Sequence, residues 1–151
     1  MFNDNHDVTV LNSLIETTID SVDGYSRSAG EATSGTFTQM FHQRAQERQQ
    51  VVERLREQVR TLGGTPEDDG SLLAKAHRQF LSLRDAVTGS DDKSVIAEVD
   101  RGESFLDGKW QVALADKELS VETQRLIGEC YQSVRSGHDQ AEQINKGVSA
   151  S

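Results

Sequence analysis

The sequence has little of what secreted and membrane proteins require. Cys130 is its one cysteine, so no internal disulfide can form, and no basic and apolar run of signal-peptide length occurs near the N-terminus. No segment approaches the ~20 apolar residues needed to cross a bilayer. We therefore expect a cytoplasmic protein without a membrane partner.

Basic residues and strand-forming residues are also scarce. Lys and Arg number 16 against 25 Asp and Glu, which gives a net charge of −9. Such an acidic protein repels phosphate backbones, so we expect no nucleic-acid partner. Hydrophobic residues make up 34%, aromatic residues 5%, and proline occurs once. This composition favours long helices that each bury one apolar stripe, and it predicts an all-α fold.

Apolar residues at helical spacing predict five helices. Asp7 is the expected N-cap of the first helix, and Ser120 that of the last. Gly63 and Gly64 are expected to end the second helix, since glycine is common just after a helix. The predicted stretches are 7–29, 36–62, 71–87 and 93–115, followed by a helix that starts after residue 120.

Four of these helices are long enough for an elongated four-helix bundle of about 35 to 40 Å. The shorter helix at 71–87, with its flanking loops, can carry the chain back along the bundle. One such long crossover is typical of ferritin-like topology, which we predict for residues 1–147 as a single domain. The small polar residues 148–151 are predicted to form a disordered tail.

Several polar and aromatic residues lie on or beside the apolar stripes. Glu103 precedes Trp110 by seven residues, as Thr18 precedes Tyr25, so each pair shares a helix face. A carboxylate buried in a core needs a partner, which Arg48 or Arg135 would supply. The predicted polar cluster of the core comprises Thr18, Tyr25, Arg48, Glu103, Trp110, Arg135 and His138.

This cluster resembles a degenerate form of the site in carboxylate-bridged di-iron proteins of the ferritin-like superfamily, rubrerythrins among them. That family carries a Glu followed seven residues later by an aromatic on two helices, and Glu-x-x-His on the other two. Mapped onto this sequence, the six ligand positions are Thr18, Arg48, Val51, Glu103, Arg135 and His138. The resemblance therefore implies that Glu103 and His138 are the surviving ligands.

Longer stretches resemble an uncharacterised family of bacterial four-helix-bundle proteins labelled as a domain of unknown function. They are "LNSLIETTIDSVDGY", "LGGTPEDDGSLLAKAHR", "AVTGSDDKSVIAEVDRGES" and the late "GHD". Together they cover roughly Asp7 to Ile144. The resemblance implies a ferritin-like fold but no agreed reaction.

Two functions follow from the polar cluster. Arginine repels metal cations, which favours a non-enzymatic structural or interaction protein without a cofactor, acting as a homo-oligomer or with a protein partner. No catalytic residue is predicted in that case. The alternative is a metal-binding oxidase or peroxide-handling protein with an altered site for iron or manganese. Its candidate ligands are Glu16, Asp20, Glu103 and His138.

The remaining residues with reactive side chains are given structural or surface roles. Cys130 is predicted to be an ordinary small buried residue, and His6 and His42 are predicted to lie at the surface. His77 is expected to hydrogen-bond a neighbouring helix or loop. Tyr25 and Trp110 are expected to be core aromatics rather than members of an electron path.

Overall fold

Four α-helices make up almost all of the part of the chain that the computed structural model describes, residues 4–68 and 91–149. They are α1 (Asp4–Glu31), α2 (Gly35–Thr61), α3 (Asp92–Leu114) and α4 (Val121–Ser149). The all-α prediction is confirmed for these residues. None of the helices in these two ranges is both long and apolar enough to pass through a bilayer.

The helices form a bundle in which α1 packs against α2 and α3, and α4 packs against the same two helices. His6, near the start of α1, contacts Asp116 just after α3, and Thr33, just after α1, contacts Asp92 at the start of α3. Helices α1 and α3 are therefore antiparallel. Gln58 at the end of α2 likewise contacts Thr123 at the start of α4. The helices α2 and α3 thus run in the same direction on one diagonal.

This arrangement places the end of α2 far from the start of α3. The chain leaves α2 at one end of the bundle and enters α3 at the other, about 40 Å away for a helix of the length of α2. The predicted short helix at 71–87, together with His77, lies outside the described residues.

Helix ends are held by glycine geometry and by side chains. Gly63, with φ of 82°, follows α2, and its N–H bonds the carbonyl of Arg60 while the N–H of Gly64 bonds that of Val59. This is the Schellman arrangement, and it confirms that the glycine pair ends the helix. At the start of α3, Asp91 accepts a hydrogen bond from the Ser94 N–H at 2.8 Å.

Two aspartates satisfy the N–H groups at the start of a neighbouring helix. Asp92 accepts from the N–H groups of Thr33 and Ser34, at 2.8 and 3.2 Å, where α2 begins. Asp7, which is fully buried, accepts from the N–H and hydroxyl of Ser120 and from the Thr123 hydroxyl. These free N–H groups carry the positive end of the helix dipole, so they attract a carboxylate.

The predicted role of Asp7 as the N-cap of α1 is wrong. Helix α1 begins three residues earlier, at Asp4, and the Asp7 side chain turns to α4 instead. Ser120 does serve α4 as predicted, since its hydroxyl accepts from the Thr123 N–H at 3.3 Å. At the other end, α4 continues to Ser149, two residues into the segment predicted as a disordered tail. Residues 150 and 151 lie outside the described ranges.

The core has two apolar clusters, one toward each end of the bundle. The larger contains Ile15, Val52, Leu106 and Trp110, and the smaller contains Tyr25, Phe41, Val95 and Ile96. On α2 the buried residue between the two clusters is Arg48, and on α3 it is Glu103. A polar layer therefore divides the core at mid-height.

Candidate functional site

Arg48 and Glu103 form a buried ion pair at the centre of the bundle. Arg48 Nη1 donates to Glu103 Oε1 at 2.6 Å, and Nη2 donates to Oε2 at 2.7 Å. The side chains are 0% and 2% exposed. Two parallel hydrogen bonds of this kind match the planar fork of a guanidinium to a carboxylate, which fixes distance and orientation together.

Further contacts surround the Arg48 guanidinium on several sides. Nη1 also donates to Ser21 Oγ at 2.7 Å, Nη2 lies 3.4 Å from the Val134 carbonyl oxygen, and the guanidinium carbon lies 5.6 Å from the centre of the Tyr25 ring. Arg48 Nε is buried without a hydrogen-bond partner among the described residues. Arg48 thus contacts side chains or backbone from α1, α3 and α4 while it is anchored on α2.

Gly137 on α4 leaves the space that the ion pair occupies. A Cβ atom placed on Gly137 would lie 2.3 Å from Arg48 Nη2 and 2.8 Å from Glu103 Oε2. Both distances are far inside van der Waals contact. The pair in this geometry therefore requires a residue without a side chain at position 137.

The electrostatics of the layer keep Arg48 charged and Tyr25 neutral. Burial alone would lower the pKa of Arg48, but its hydrogen bonds and charge attraction with Glu103 raise that pKa above its usual range. The pKa of Tyr25 is also raised, first by burial and then by the nearby Glu103 charge. A permanent cation and a carboxylate with both oxygens engaged are poor proton donors and acceptors. They hold helices together instead.

A second polar contact lies on the side of the larger apolar cluster. Trp110 Nε1 donates to Thr18 Oγ1 at 3.3 Å, and both side chains are fully buried. The indole N–H would otherwise be buried without a partner, which is costly. Thr18 therefore satisfies Trp110 across the interface between α1 and α3.

The fourth helix contributes less to this layer than predicted. The placement of Arg135 in the core cluster is wrong, because its side chain is 59% exposed and pairs with Asp139 one turn along α4. His138 is half-buried, with Nε2 3.5 Å from Ser104 Oγ. Within the described residues, His138 forms no hydrogen bond with Glu103.

The seam between α2 and α4 is bridged by polar side chains. Arg44 donates to Gln140 at 2.7 Å and to Glu47 at 3.1 Å, and Ser133 donates to Glu47. Nearer the end of the bundle, Arg54 pairs with Glu129 at 3.3 Å. On the core side of this interface between α2 and α4, Gly137 lies against Arg48.

The candidate metal ligands do not converge. In the described ranges, no set of three drawn from Glu16, Asp20, Glu103 and His138 has ligand atoms within 4.8 Å of one another. Glu16 and Asp20 are half-buried on α1. Both Glu103 oxygens are bonded to a guanidinium, whose positive charge opposes a bound cation. The residues at the centre therefore do not fit a di-iron or di-manganese group.

Sequence reasoning found Arg48 and Glu103 but missed the glycine that accommodates them. The signal was present in "RSGH" at 135–138, where a glycine lies inside a predicted helix, one residue before His138. It also missed a set at the end of the bundle, where His6, Asp116 and Glu118 meet. Cys130 is buried, and burial raises the pKa of its thiol.

Comparison with known families gives one match over residues 7–116, to a domain of unknown function (DUF2383). This range contains all of α2 and α3, nearly all of α1 and both residues of the ion pair, whereas the resemblance seen in the sequence extended to Ile144. The late "GHD" stretch, which includes Gly137, lies beyond it. No curated protein sequence matches the chain closely enough to indicate a relative.

Proposed function

Since the chain belongs to the DUF2383 family, which is defined by a domain of unknown function, we propose a role from the geometry of its core. The protein is a non-enzymatic, ferritin-like structural or interaction protein in which a di-metal site has been replaced by an ion pair. The observation that carries this proposal is the bidentate contact between Arg48 and Glu103 at mid-height of the bundle.

The connectivity of the helices supports the ferritin-like part of the proposal. Helices α2 and α3 are parallel, so the end of α2 and the start of α3 lie at opposite ends of the bundle. Ferritin-like bundles differ from bundles with only short loops by a single long connection between two such ends.

The chemistry of the core supports the loss of a metal. Di-metal sites in such bundles use carboxylates and histidines from all four helices, and the anions neutralise two cations. Here α2 contributes the guanidinium of Arg48, α1 contributes Thr18 bonded to Trp110, and α4 contributes Gly137. Glu103 is the one carboxylate among these residues, and Arg48 already neutralises its charge. The arrangement therefore suits a contact that holds helices together better than a site that oxidises a substrate.

An exposed face of α3 supports an interaction role, which we assign to self-association. Phe105 and Val112 are 64% and 73% exposed and lie seven residues apart, so they project from one side of the helix. Gly108 lies between them with open space around it. A second copy of α3 could approach closely at the glycine and cover both apolar side chains.

Two measurements test the proposal. Protein purified without chelators is titrated aerobically with Fe(II), with Glu103→Gln and His138→Gln as comparisons. We expect no catalysed Fe(II) oxidation and no bound metal that depends on either residue. Catalysed oxidation that is lost in Glu103→Gln would instead establish the metal-dependent oxidase.

Sedimentation velocity tests the interaction role separately. We expect the parent protein to self-associate and Phe105→Ser to shift it to monomer, while Arg101→Ser, a neighbouring exposed change, leaves the association intact. A parent protein that is monomeric at high concentration would exclude self-association through α3.

A further inference from the structure

One end of the bundle holds a set of side chains that the core function does not use. His6 lies near the start of α1, and Asp116 and Glu118 lie in the short connection from α3 to α4. They are 110 and 112 residues away from His6 in the chain. Within residues 4–68 and 91–149 this is the one group of three His, Cys, Asp or Glu residues whose ligand atoms all lie within 4.8 Å of one another.

The distances in this set suit a small metal ion. His6 Nε2 lies 2.7 Å from Asp116 Oδ2 and 4.0 Å from Glu118 Oε2. Two ligands at about 2.1 Å from a tetrahedral zinc ion are roughly 3.4 Å apart, which lies between these two separations. The ligand atoms of all three residues lie within 4.8 Å of one another, so small side-chain adjustments would bring them to bonding distance of one ion.

We propose that His6, Asp116 and Glu118 form a mononuclear site for a borderline transition-metal ion such as Zn²⁺. An imidazole nitrogen with two carboxylates selects such an ion over Ca²⁺ or Mg²⁺, which take oxygen ligands. Three protein ligands leave a fourth position for water. The bound ion would join the start of α1 to the connection between α3 and α4.

Two contacts orient the Asp116 carboxylate toward His6. Its Oδ1 accepts a hydrogen bond from the Glu118 N–H at 2.9 Å, which leaves Oδ2 directed at His6. A metal ion bound to His6 Nε2 and Asp116 Oδ2 would replace the direct contact between these two atoms.

The site is independent of the ion pair in the core. His6 and Asp116 lie beside the end of α3, whereas Glu103 lies three turns earlier on the same helix. Metal bound at the end of the bundle would therefore leave the core arrangement, and the proposed non-enzymatic role, unchanged.

The test is a calorimetric titration of Zn²⁺ alone into full-length protein that has been freed of metal. We expect one ion per chain and at least about tenfold weaker binding for His6→Gln and for Glu118→Gln, since removal even of groups that only orient a ligand costs that much. Glu118 is 81% exposed, so its variant folds as the parent does. Co²⁺ in place of Zn²⁺ reports the tetrahedral geometry by its visible absorption.

Matched variants locate the bound ion. His42→Gln removes another exposed histidine, and His138→Gln removes the histidine near the core; neither should alter the affinity for Zn²⁺. A parent protein that binds no Zn²⁺, or one whose binding is unchanged in both His6→Gln and Glu118→Gln, would overturn the proposal. Binding lost in His138→Gln but kept in His6→Gln would overturn it as well and would place the metal in the core.

Discussion

Arg48 and Glu103 connect the diagonal helices α2 and α3 through the middle of the bundle, with Nη1 donating to Oε1 and Nη2 donating to Oε2. Neighbouring helices are held by apolar side chains, but a diagonal is too wide for most of them. The long Arg48 side chain crosses that distance. The pair therefore sets the height at which the α1–α2 hairpin meets the α3–α4 hairpin.

Removing one member of this pair should be far more damaging than removing both. Glu103→Gln and Glu103→Leu each leave a buried charge on Arg48 without its partner, which we expect to cost about 3 to 5 kcal/mol in the free energy of unfolding. The double variant Arg48→Met with Glu103→Leu should recover most of that loss. Urea denaturation measures all three. Arg54→Ala, which breaks a half-exposed pair with Glu129, should cost less than about 1 kcal/mol.

An unchanged free energy of unfolding in both Glu103 variants would mean that the buried pair does not contribute to stability. The register of the hairpins gives a second readout. If the double variant is stable but populates more than one arrangement by NMR, the pair specifies the structure more than it stabilises it.

Gly137→Ala should destabilise the protein although alanine favours helices. Its Cβ would lie 2.3 Å from Arg48 Nη2, so the guanidinium or α4 has to move, at a cost of about 1 to 3 kcal/mol. Gly128, on the same helix, is the matched control because nothing lies within 4 Å of its Cβ position. Gly128→Ala should stabilise by about 0.5 to 1 kcal/mol. Thermal unfolding of the two variants measures both effects. Stabilisation of both Gly137→Ala and Gly128→Ala would refute the steric conflict between a side chain at position 137 and Arg48.

Asp7→Ala should weaken the joint between α1 and α4. The substitution leaves the Ser120 N–H and the two hydroxyl groups at the start of α4 without their acceptor, at a cost of about 1 to 3 kcal/mol. Hydrogen exchange should show faster opening of the first turn of α4. Glu57→Ala is an exposed comparison and should change stability by less than about 1 kcal/mol. Equal effects of the two substitutions would contradict the capping role of Asp7.

Tyr25 predicts how stability changes at alkaline pH. Its pKa is raised in the folded protein above the ordinary value of 10.0, so the unfolded state loses its proton first. The stabilisation is complete below about pH 10 and declines as the pH rises beyond it. Unfolding measured between pH 8 and pH 11 should therefore show a shallower decline in Tyr25→Phe.

Tyr131→Phe isolates this titration, since the chain has two tyrosines. In that variant the ultraviolet absorbance of phenolate should stay absent from the folded protein at pH values where the unfolded chain ionises. A phenolate signal with a midpoint near 10 in the folded state would contradict the burial of the Tyr25 hydroxyl.

Helical periodicity was sufficient to place the four described helices because each has one apolar stripe and clear end signals, such as Gly63 and Ser120. The prediction of a helix start was wrong for Asp7, because its side chain could bind the start of either of two helices. Asp7 precedes an apolar stripe and is therefore predicted as a local cap. In the fold its carboxylate instead binds the Ser120 N–H and the Ser120 and Thr123 hydroxyls at the start of α4.

The sequence by itself determined that long amphipathic helices carry charged residues on their inner stripes, because spacing along a helix fixes which side chains share a face. Only the tertiary structure decided which guanidinium meets Glu103. Arg135 and Arg48 carry the same guanidinium group and are equivalent as chemical partners for Glu103. Which of them reaches Glu103 depends on the rotation of each helix about its axis and on the space that Gly137 leaves. The meeting of His6 with Asp116 and Glu118 was equally invisible in the sequence, since residues more than a hundred positions apart converge only when helices pack.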